Sequence, residues 1–251
     1  MKNTAIILGG SSGLGLATAH KLSKRYNLVI VHRDRKQRAS ALEAEFQKMR
    51  AHGGTVTTYN KDALKTETRK EIIASIAQNS VAVLVHSIAK GSLKAMNSET
   101  ETLSKADLDI TIHAMATSWW EWTAELIKHK KCSPSCRNIA FTSEGNAKVW
   151  PGYGAVSAAK SVLEALMRQM AVSLAHSGMT TNCIQAGTTK TPSFEMIPGS
   201  EKLAEMAEKR NPFGRLTEAE DVANAVWLLC QEEAKWINGT ILKVDGGESL
   251  R

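Results

Sequence analysis

The stretch Thr4-Ala5-Ile6-Ile7-Leu8-Gly9-Gly10-Ser11-Ser12-Gly13-Leu14-Gly15 decides the fold. Residues 4–8 are a short apolar run of strand type, and residues 16–25 carry helical spacing. A glycine turn joins them. Glycine permits a tight turn and lets the backbone approach a pyrophosphate, while the helix N-terminus offers free N–H groups and partial positive charge. A lone glycine pattern says little, and its bland reading is a turn without a ligand. Here the strand before and the helix after supply the context that a dinucleotide-binding turn requires. Gly9, Ser11, Ser12, Gly13, Leu14 and Gly15 are therefore candidate cofactor contacts.

The same alternation continues outward. Strand-like runs at 28–31, 55–59, 81–85, 138–142, 180–184 and 240–244 alternate with helical patterns at 39–51, 66–78, 106–128, 155–175 and 221–229. Strands apolar on both faces imply a parallel sheet covered on both sides. Right-handed crossovers then give an α/β, single-domain, doubly wound parallel sheet of Rossmann-like type over residues 1–251. No linker, repeat or low-complexity tract interrupts it. The least regular stretch, 188–216, carries Pro192, Pro198, Gly199, Pro212 and Gly214 around a short helical piece. It follows a strand, where ligand loops belong in such sheets, so it reads as a substrate lid; an inert surface loop is the alternative.

Composition narrows the function. The chain has 251 residues, 43% of them hydrophobic and 23% charged, which excludes a disordered or collagenous chain. No apolar run reaches the roughly 18–20 residues that span a bilayer, and no signal-peptide pattern opens the chain. The net charge of +7 is spread without a basic block, which suits an anionic ligand and argues against nucleic acid. Four cysteines are too few for a disulfide framework, so a cytoplasmic location is expected. Cys132-Ser133-Pro134-Ser135-Cys136, with His129 upstream, lacks a second ligand pair and reads as a loop with plain thiols rather than a metal site.

The end of the second strand bears on cofactor choice. An acid there would hold a ribose 2′-hydroxyl, as in NAD(H) sites. His32 and Arg33 stand there instead, and Asp34 lies one step too far on. An arginine pairs with a 2′-phosphate, so NADPH (NADP+) is favoured over NADH. Arg35, Lys36 and Arg38 read as the solvated start of a helix. Asp62, followed by Ala63 after the third strand, is placed to accept from an adenine amino group, or is a turn carboxylate.

The chemistry falls on residues 143–160. Ser143 ends the fifth strand, and Tyr153 and Lys160 lie at the start of the second long helix. A tyrosine near a lysine cation and a nicotinamide is expected to have a lowered pKa and to donate to a carbonyl oxygen. With Gly9 to Gly15, Asp62, Ser143, Lys160, Asn182 to Thr191, Arg215 and Val244-Asp245-Gly246-Gly247, the whole chain resembles a short-chain dehydrogenase/reductase. It departs from the ordinary pattern in three places. The position four before the lysine, usually tyrosine, is Val156; Tyr153 is seven before it. The usual Asn-Asn-Ala-Gly after the fourth strand reads His86-Ser87-Ile88-Ala89, and the usual helix asparagine falls at Met115. These departures resemble the enoyl-acyl-carrier-protein reductase branch. Ser143, ten residues before Tyr153, resembles its NADPH-dependent variant.

The resemblance implies NADPH-dependent reduction of a 2-enoyl thioester, on carrier protein or coenzyme A, in fatty-acid-type metabolism. Tyr153 would hydrogen-bond the thioester oxygen, Lys160 would hold the nicotinamide ribose, and Ser143 would assist. Ser87, Ile88, Ala89, Gly187, Thr189 and Thr191 would seat the cofactor, with the Thr191 hydroxyl at the nicotinamide. A homotetramer or homodimer through the two long helices is also implied. Two other readings stay open: a 3-oxoacyl or other ketone reductase with a rearranged donor, and a nucleotide-binding regulator without catalysis. Each residue also has a plainer reading: Tyr153 as a packing tyrosine, Lys160 as a helix-face lysine, Ser143 as a strand-end cap. Glu144 reads as a solvated or paired acid, and His86 and His113 as structural. Trp119, Trp120 and Trp122 read as core or subunit interface. The basic residues Lys202, Lys209, Arg210 and Arg215 near the lid suit an acidic carrier protein, or are ordinary surface charge.

Overall fold

In the computed structural model, which describes residues 2–251, the apolar runs join into one sheet. Its strands are β1 (Thr4–Leu8), β2 (Asn27–His32), β3 (Val56–Asn60), β4 (Val81–His86), β5 (Cys132–Thr142), β6 (Thr180–Ala186) and β7 (Ile241–Val244). All pairings are parallel, in the order β3-β2-β1-β4-β5-β6-β7. From β1 the chain runs outward to β2 and β3, then returns to the other side of β1 as β4. Such a reversal opens a crevice beyond the carboxyl ends of the strands, where ligands bind in sheets of this kind.

Strand periodicity distributes the core. Ala5, Ile7, Leu28 and Ile30 face one side of the sheet, and Ile6, Leu8, Val29 and Val31 face the other. The first side is covered by α1 (Gly13–Ser23), α2 (Ala39–Arg50) and α9 (Ala219–Leu229). The second is covered by α3 (Thr66–Ser75), α5 (Ser118–Lys128) and α6 (Gly154–Ser173). Trp119 and Trp122 are fully buried on α5. Their indole N–H groups donate to Asn138 Oδ1 at 2.6 Å and to the Ala63 carbonyl at 2.9 Å. Truncating either indole to alanine costs roughly 3–5 kcal/mol. Trp120, between them, stays partly exposed.

Three boundaries differ from the sequence expectation. The first helix begins at Gly13, not at residue 16, so the last part of the glycine motif is its first turn. The helix expected at 106–128 is α4 (Lys105–Ile112) and α5, joined by a π-helical turn at His113–Thr117. Such turns insert one residue into a helix and often mark functional sites. β5 begins at Cys132, so the cysteine stretch is strand rather than loop. Val81 pairs with Cys132 and Val83 with Arg137, so the strand bulges between these two pairings. The lid stretch holds α7 (Pro192–Glu195) and α8 (Ser200–Arg210). No helix of the described residues is long and apolar enough to cross a membrane.

Candidate active site

The carboxyl ends of the strands open on a cleft of about 800 Å³. Gly9, Ser12, Gly13 and Leu14 form one wall, and Ser87, Ile88 and Ala89 follow β4 beside it. Gly9 has φ +87°, and a Cβ there would stand 2.4 Å from the Ser87 carbonyl oxygen. The turn therefore packs backbone against backbone. Gly15 lies beneath it, where a Cβ would meet the Gly9 carbonyl oxygen at 2.1 Å. The N-terminus of α1 has no side-chain cap from Ser12 and no acid in its first turn. Helix N-termini need partners for their first N–H groups. An uncapped helix start facing a cleft fits the pyrophosphate of a dinucleotide.

The side chains at the strand ends beside the cleft are engaged with one another. Arg33 is not free: its guanidinium donates to Asp62 Oδ2 at 3.2 Å, with the Arg33 side chain 62% exposed. Asp62 Oδ1 also accepts the Leu64 N–H at 3.0 Å, the geometry of a turn carboxylate. An exposed pair of this kind is worth at most about 1 kcal/mol, so an incoming phosphate competes for Arg33. His32 is buried with Nδ1 3.0 Å from Asp34 Oδ2. Ser11 is buried, and its carbonyl accepts from Arg38 at 3.3 Å. Arg38 also donates to Asp34 Oδ1 at 2.6 Å. Arg38 is an exposed residue at the start of α2, as the sequence suggested, and its guanidinium also reaches the edge of the glycine turn. The residue Ala63 serves the core, through its carbonyl to Trp122.

On the opposite side, Ser143, Tyr153 and Lys160 all reach the cleft. Ser143 Oγ lies 3.4 Å from Tyr153 Oη, a long contact, and also accepts the Gly145 N–H at 3.3 Å. Lys160 is buried, and its ammonium donates to the Phe141 carbonyl at 2.8 Å. Burial lowers its pKa to about 8. The expected lowering of the Tyr153 pKa is not found: burial raises it, and the Ser143 hydrogen bond only partly offsets that. The phenol is thus protonated at neutral pH, the form that donates. No hydrogen bond joins Lys160 to Tyr153 among the described residues. The buried His86 has its pKa lowered to about 3, by desolvation first and the Lys160 charge second. Its Nε2 lies 2.9 Å from Ser118 Oγ, so it ties the end of β4 to α5.

Met115, from the π-helical turn, and Val156 pack together with Ala159 in a small apolar cluster that takes in Leu93, Ile112 and Tyr153. The two positions where the ordinary pattern has polar groups are thus filled by side chains that contact each other. Gly145 completes the seat of the phenol, since a Cβ there would stand 2.3 Å from Tyr153 Cε1.

The segment after β6 supplies the rest. Gly187, Thr189 and Thr191 line the cleft. Thr191 Oγ1 caps α7 by accepting the Phe194 N–H at 3.1 Å, with Pro192 in the first turn. Its hydroxyl hydrogen remains available. The Thr189 hydroxyl donates to the Gly187 carbonyl at 2.9 Å. Glu248 is almost fully buried and accepts from Thr188 N at 2.9 Å and from Arg210 at 2.7 Å. Arg210 also pairs with Glu144, which pairs with Lys148 at 3.0 Å. Glu144 is thus the paired acid of the two readings, and it latches the end of α8 to the loop after β5. Arg215 pairs with Asp221 at 2.7 Å. Arg210 is held within the latch, Arg215 is in an exposed surface pair, and Lys202 and Lys209 alternate with Glu201, Glu205 and Glu208. Sequence reasoning missed this latch because its three members lie 66 and 38 residues apart. It also missed the apolar lid face, which the spacing of Leu203, Met206 and Ala207 signals. Asn182 and Asp245 hold backbone groups around β7 rather than facing the cleft.

Comparison with known proteins agrees with this architecture. The family described as Enoyl-(Acyl carrier protein) reductase matches residues 9–249. A (2S)-[(R)-hydroxy(phenyl)methyl]succinyl-CoA dehydrogenase subunit from Thauera aromatica is 27% identical over 252 residues, covering 98% of this chain and 96% of the relative. The NADH enoyl-[acyl-carrier-protein] reductase FabI of Aquifex aeolicus is 27% identical over 249 residues, covering 96% and 92%. The crystal structure of an enoyl-[acyl-carrier-protein] reductase (NADH) from Aquifex aeolicus superposes with a TM-score of 0.82 at 23% identity, covering 99% of this chain and 97% of the other.

Proposed function

The chain belongs to the short-chain dehydrogenase/reductase family of oxidoreductases, and from that premise we propose that it uses NADPH to reduce the C=C bond of a 2-enoyl thioester. One observation carries this reading. Tyr153 is the only phenol lining the cleft, and the position where the ordinary ketone-reducing pattern has its tyrosine is the buried Val156. Tyr26 and Tyr59 do not line the cleft.

A dinucleotide would lie with its phosphates on the uncapped start of α1. Arg33, with Arg38 behind it, would meet a 2′-phosphate, and Asp62 and Ala63 would lie near the adenine. Lys160 would take the nicotinamide ribose, while Gly187, Thr189 and Thr191 would seat the ring. A bound nicotinamide would supply a hydride for the β-carbon of the substrate. Negative charge would grow on the thioester oxygen as an enolate, until the α-carbon takes up a proton from solvent. Tyr153 donates its hydrogen bond there, where the transition state is more negative than the ground state. Ser143 orients the phenol, and Lys160 adds positive charge nearby. Leu93, Met115, Val156, Phe194 and Met206 give the acyl chain an apolar wall. The thioester is supported by the names of the two relatives, which carry acyl-CoA and acyl-carrier-protein.

A second reading, reduction of a 3-oxoacyl thioester or another ketone, is favoured by the relative named as a dehydrogenase of a hydroxylated succinyl-CoA. NADPH oxidation with crotonyl and acetoacetyl thioesters, side by side at equal concentration, separates the two. Turnover of crotonyl thioester alone is expected. Turnover of acetoacetyl thioester alone would replace the first reading with the second. Tight NADPH binding without turnover of either would leave a nucleotide-binding protein.

A further inference from the structure

We infer that the opposite, N-terminal edge of the sheet holds a binding site for a tetrahedral oxyanion of the phosphate type. A pocket of about 120 Å³ opens there, lined by Asn3, Arg25, Tyr26, Ser135, Arg137 and Glu232. It lies at the starts of β1, β2, β4 and β5, away from the catalytic cleft. Arg137 is the central residue of this pocket. It is 4% exposed, its Nε is buried without an acceptor, and its side chain forms no ion pair or hydrogen bond among the described residues. Buried charges in folded proteins are paired, because an unpaired one forfeits its hydration. The other deeply buried arginine, Arg69, obeys that rule through Glu121 at 2.8 Å. Arg137 instead turns toward a polar pocket.

The surrounding groups suit an anion. Arg25 lies over the Tyr26 ring at 5.7 Å and gives one hydrogen bond to Gln231 at 3.1 Å, leaving its other donors for the pocket. Asn3 adds a neutral donor from a third segment, and Ser135, two residues before Arg137 on β5, adds a hydroxyl. Among the described residues Glu232 is the only acid in the lining and pairs with neither arginine, so their side chains leave one positive charge in excess. The cavity, about 120 Å³, leaves room for a phosphate-sized ion with residual water. Donors that converge from several segments match a tetrahedral ion, whereas a planar carboxylate is satisfied by one guanidinium fork.

The test is a titration of the full-length protein with inorganic phosphate, at ionic strength held constant with chloride and with saturating NADPH present. Calorimetry and the melting temperature are read together. Saturable phosphate binding is expected, weakened roughly tenfold or more by Arg137→Met. Arg137 sits within the sheet and its replacement lowers stability directly, so the surface variant Arg25→Ala is the second arm, with a several-fold loss expected. NADPH affinity stays unchanged in both variants. A parallel titration with glycerol phosphate identifies the source: tighter binding of the ester marks a phosphoryl group, and tighter binding of inorganic phosphate marks the free ion. No saturable effect of either beyond chloride overturns the site. So does binding that NADPH abolishes, or binding that survives both substitutions.

Discussion

Gly9 and Gly145 stand on opposite walls of one cleft, and neither leaves room for a Cβ, but they are hemmed in by different things. At Gly9 the obstacle is the backbone of Ser87, 2.4 Å from the absent Cβ. At Gly145 it is the ring of Tyr153, at 2.3 Å. The cofactor wall is backbone against backbone, and its shape is inseparable from the fold. The substrate wall is backbone against a reactive side chain, and its shape sets the position of the phenol. The first region should respond to substitution through stability and cofactor binding, the second through turnover.

The largest expected effect lies on the substrate wall. Tyr153→Phe removes the only phenol in the cleft, and kcat should fall about a hundredfold to ten-thousandfold while the NADPH dissociation constant stays nearly unchanged. Retained turnover would place the donor elsewhere. The paired glycine variants then test the contrast itself. Gly9→Ala forces a Cβ into a carbonyl at positive φ and should cost about 3 kcal/mol in urea unfolding, together with weaker NADPH binding. Gly145→Ala should leave stability within about 1 kcal/mol, because a side chain can swing, yet lower kcat by about tenfold or more. Identical profiles for the two variants would erase the distinction between the walls.

A smaller effect concerns Lys160. Its folded pKa, about 8, is below its ordinary value of 10.5. The unfolded chain therefore binds the extra proton between those values, and the stability due to this residue rises with pH across that window. Below about pH 8 the buried charge costs its full penalty. Burial also raises the Cys183 and Cys230 thiols to about 12, which lowers stability above pH 9, so the slope must be read as a difference. Without nucleotide, the stability of the unsubstituted protein relative to Lys160→Met should climb by about 2 kcal/mol between pH 7.5 and 10. A flat difference would mean that Lys160 is solvated. The smallest effect is Arg33→Ala, which should raise the NADPH KM about tenfold and the NADH KM hardly at all. Equal changes would mean that Arg33 stays with Asp62.

The same contrast explains what the sequence made legible. The strands and the glycine turn were readable because their signals are local: apolar runs, a helix start and glycines lie within a dozen residues of one another. Tyr153 and Lys160 were readable because seven residues span two helical turns on one element. The Glu144–Arg210–Glu248 latch was not, since charges that meet through tertiary packing leave no spacing to read. Pro134 and the serines around it disguised the first half of β5 as a loop, because the strand there bulges instead of pairing regularly. The lowered pKa expected for Tyr153 failed for a related reason: sequence gives proximity to Lys160, but burial decides the sign.

On the proposed reading, hydride goes to the β-carbon of a C=C bond. This is tested most directly by competition. Crotonyl and acetoacetyl thioesters are mixed in equal amounts with NADPH deuterated at the transferable position, and the products are resolved by mass spectrometry. Label is expected in the butyryl thioester, on C3. Label found instead in the 3-hydroxybutyryl thioester would contradict that reading, and would make the chain a ketone reductase with a displaced donor.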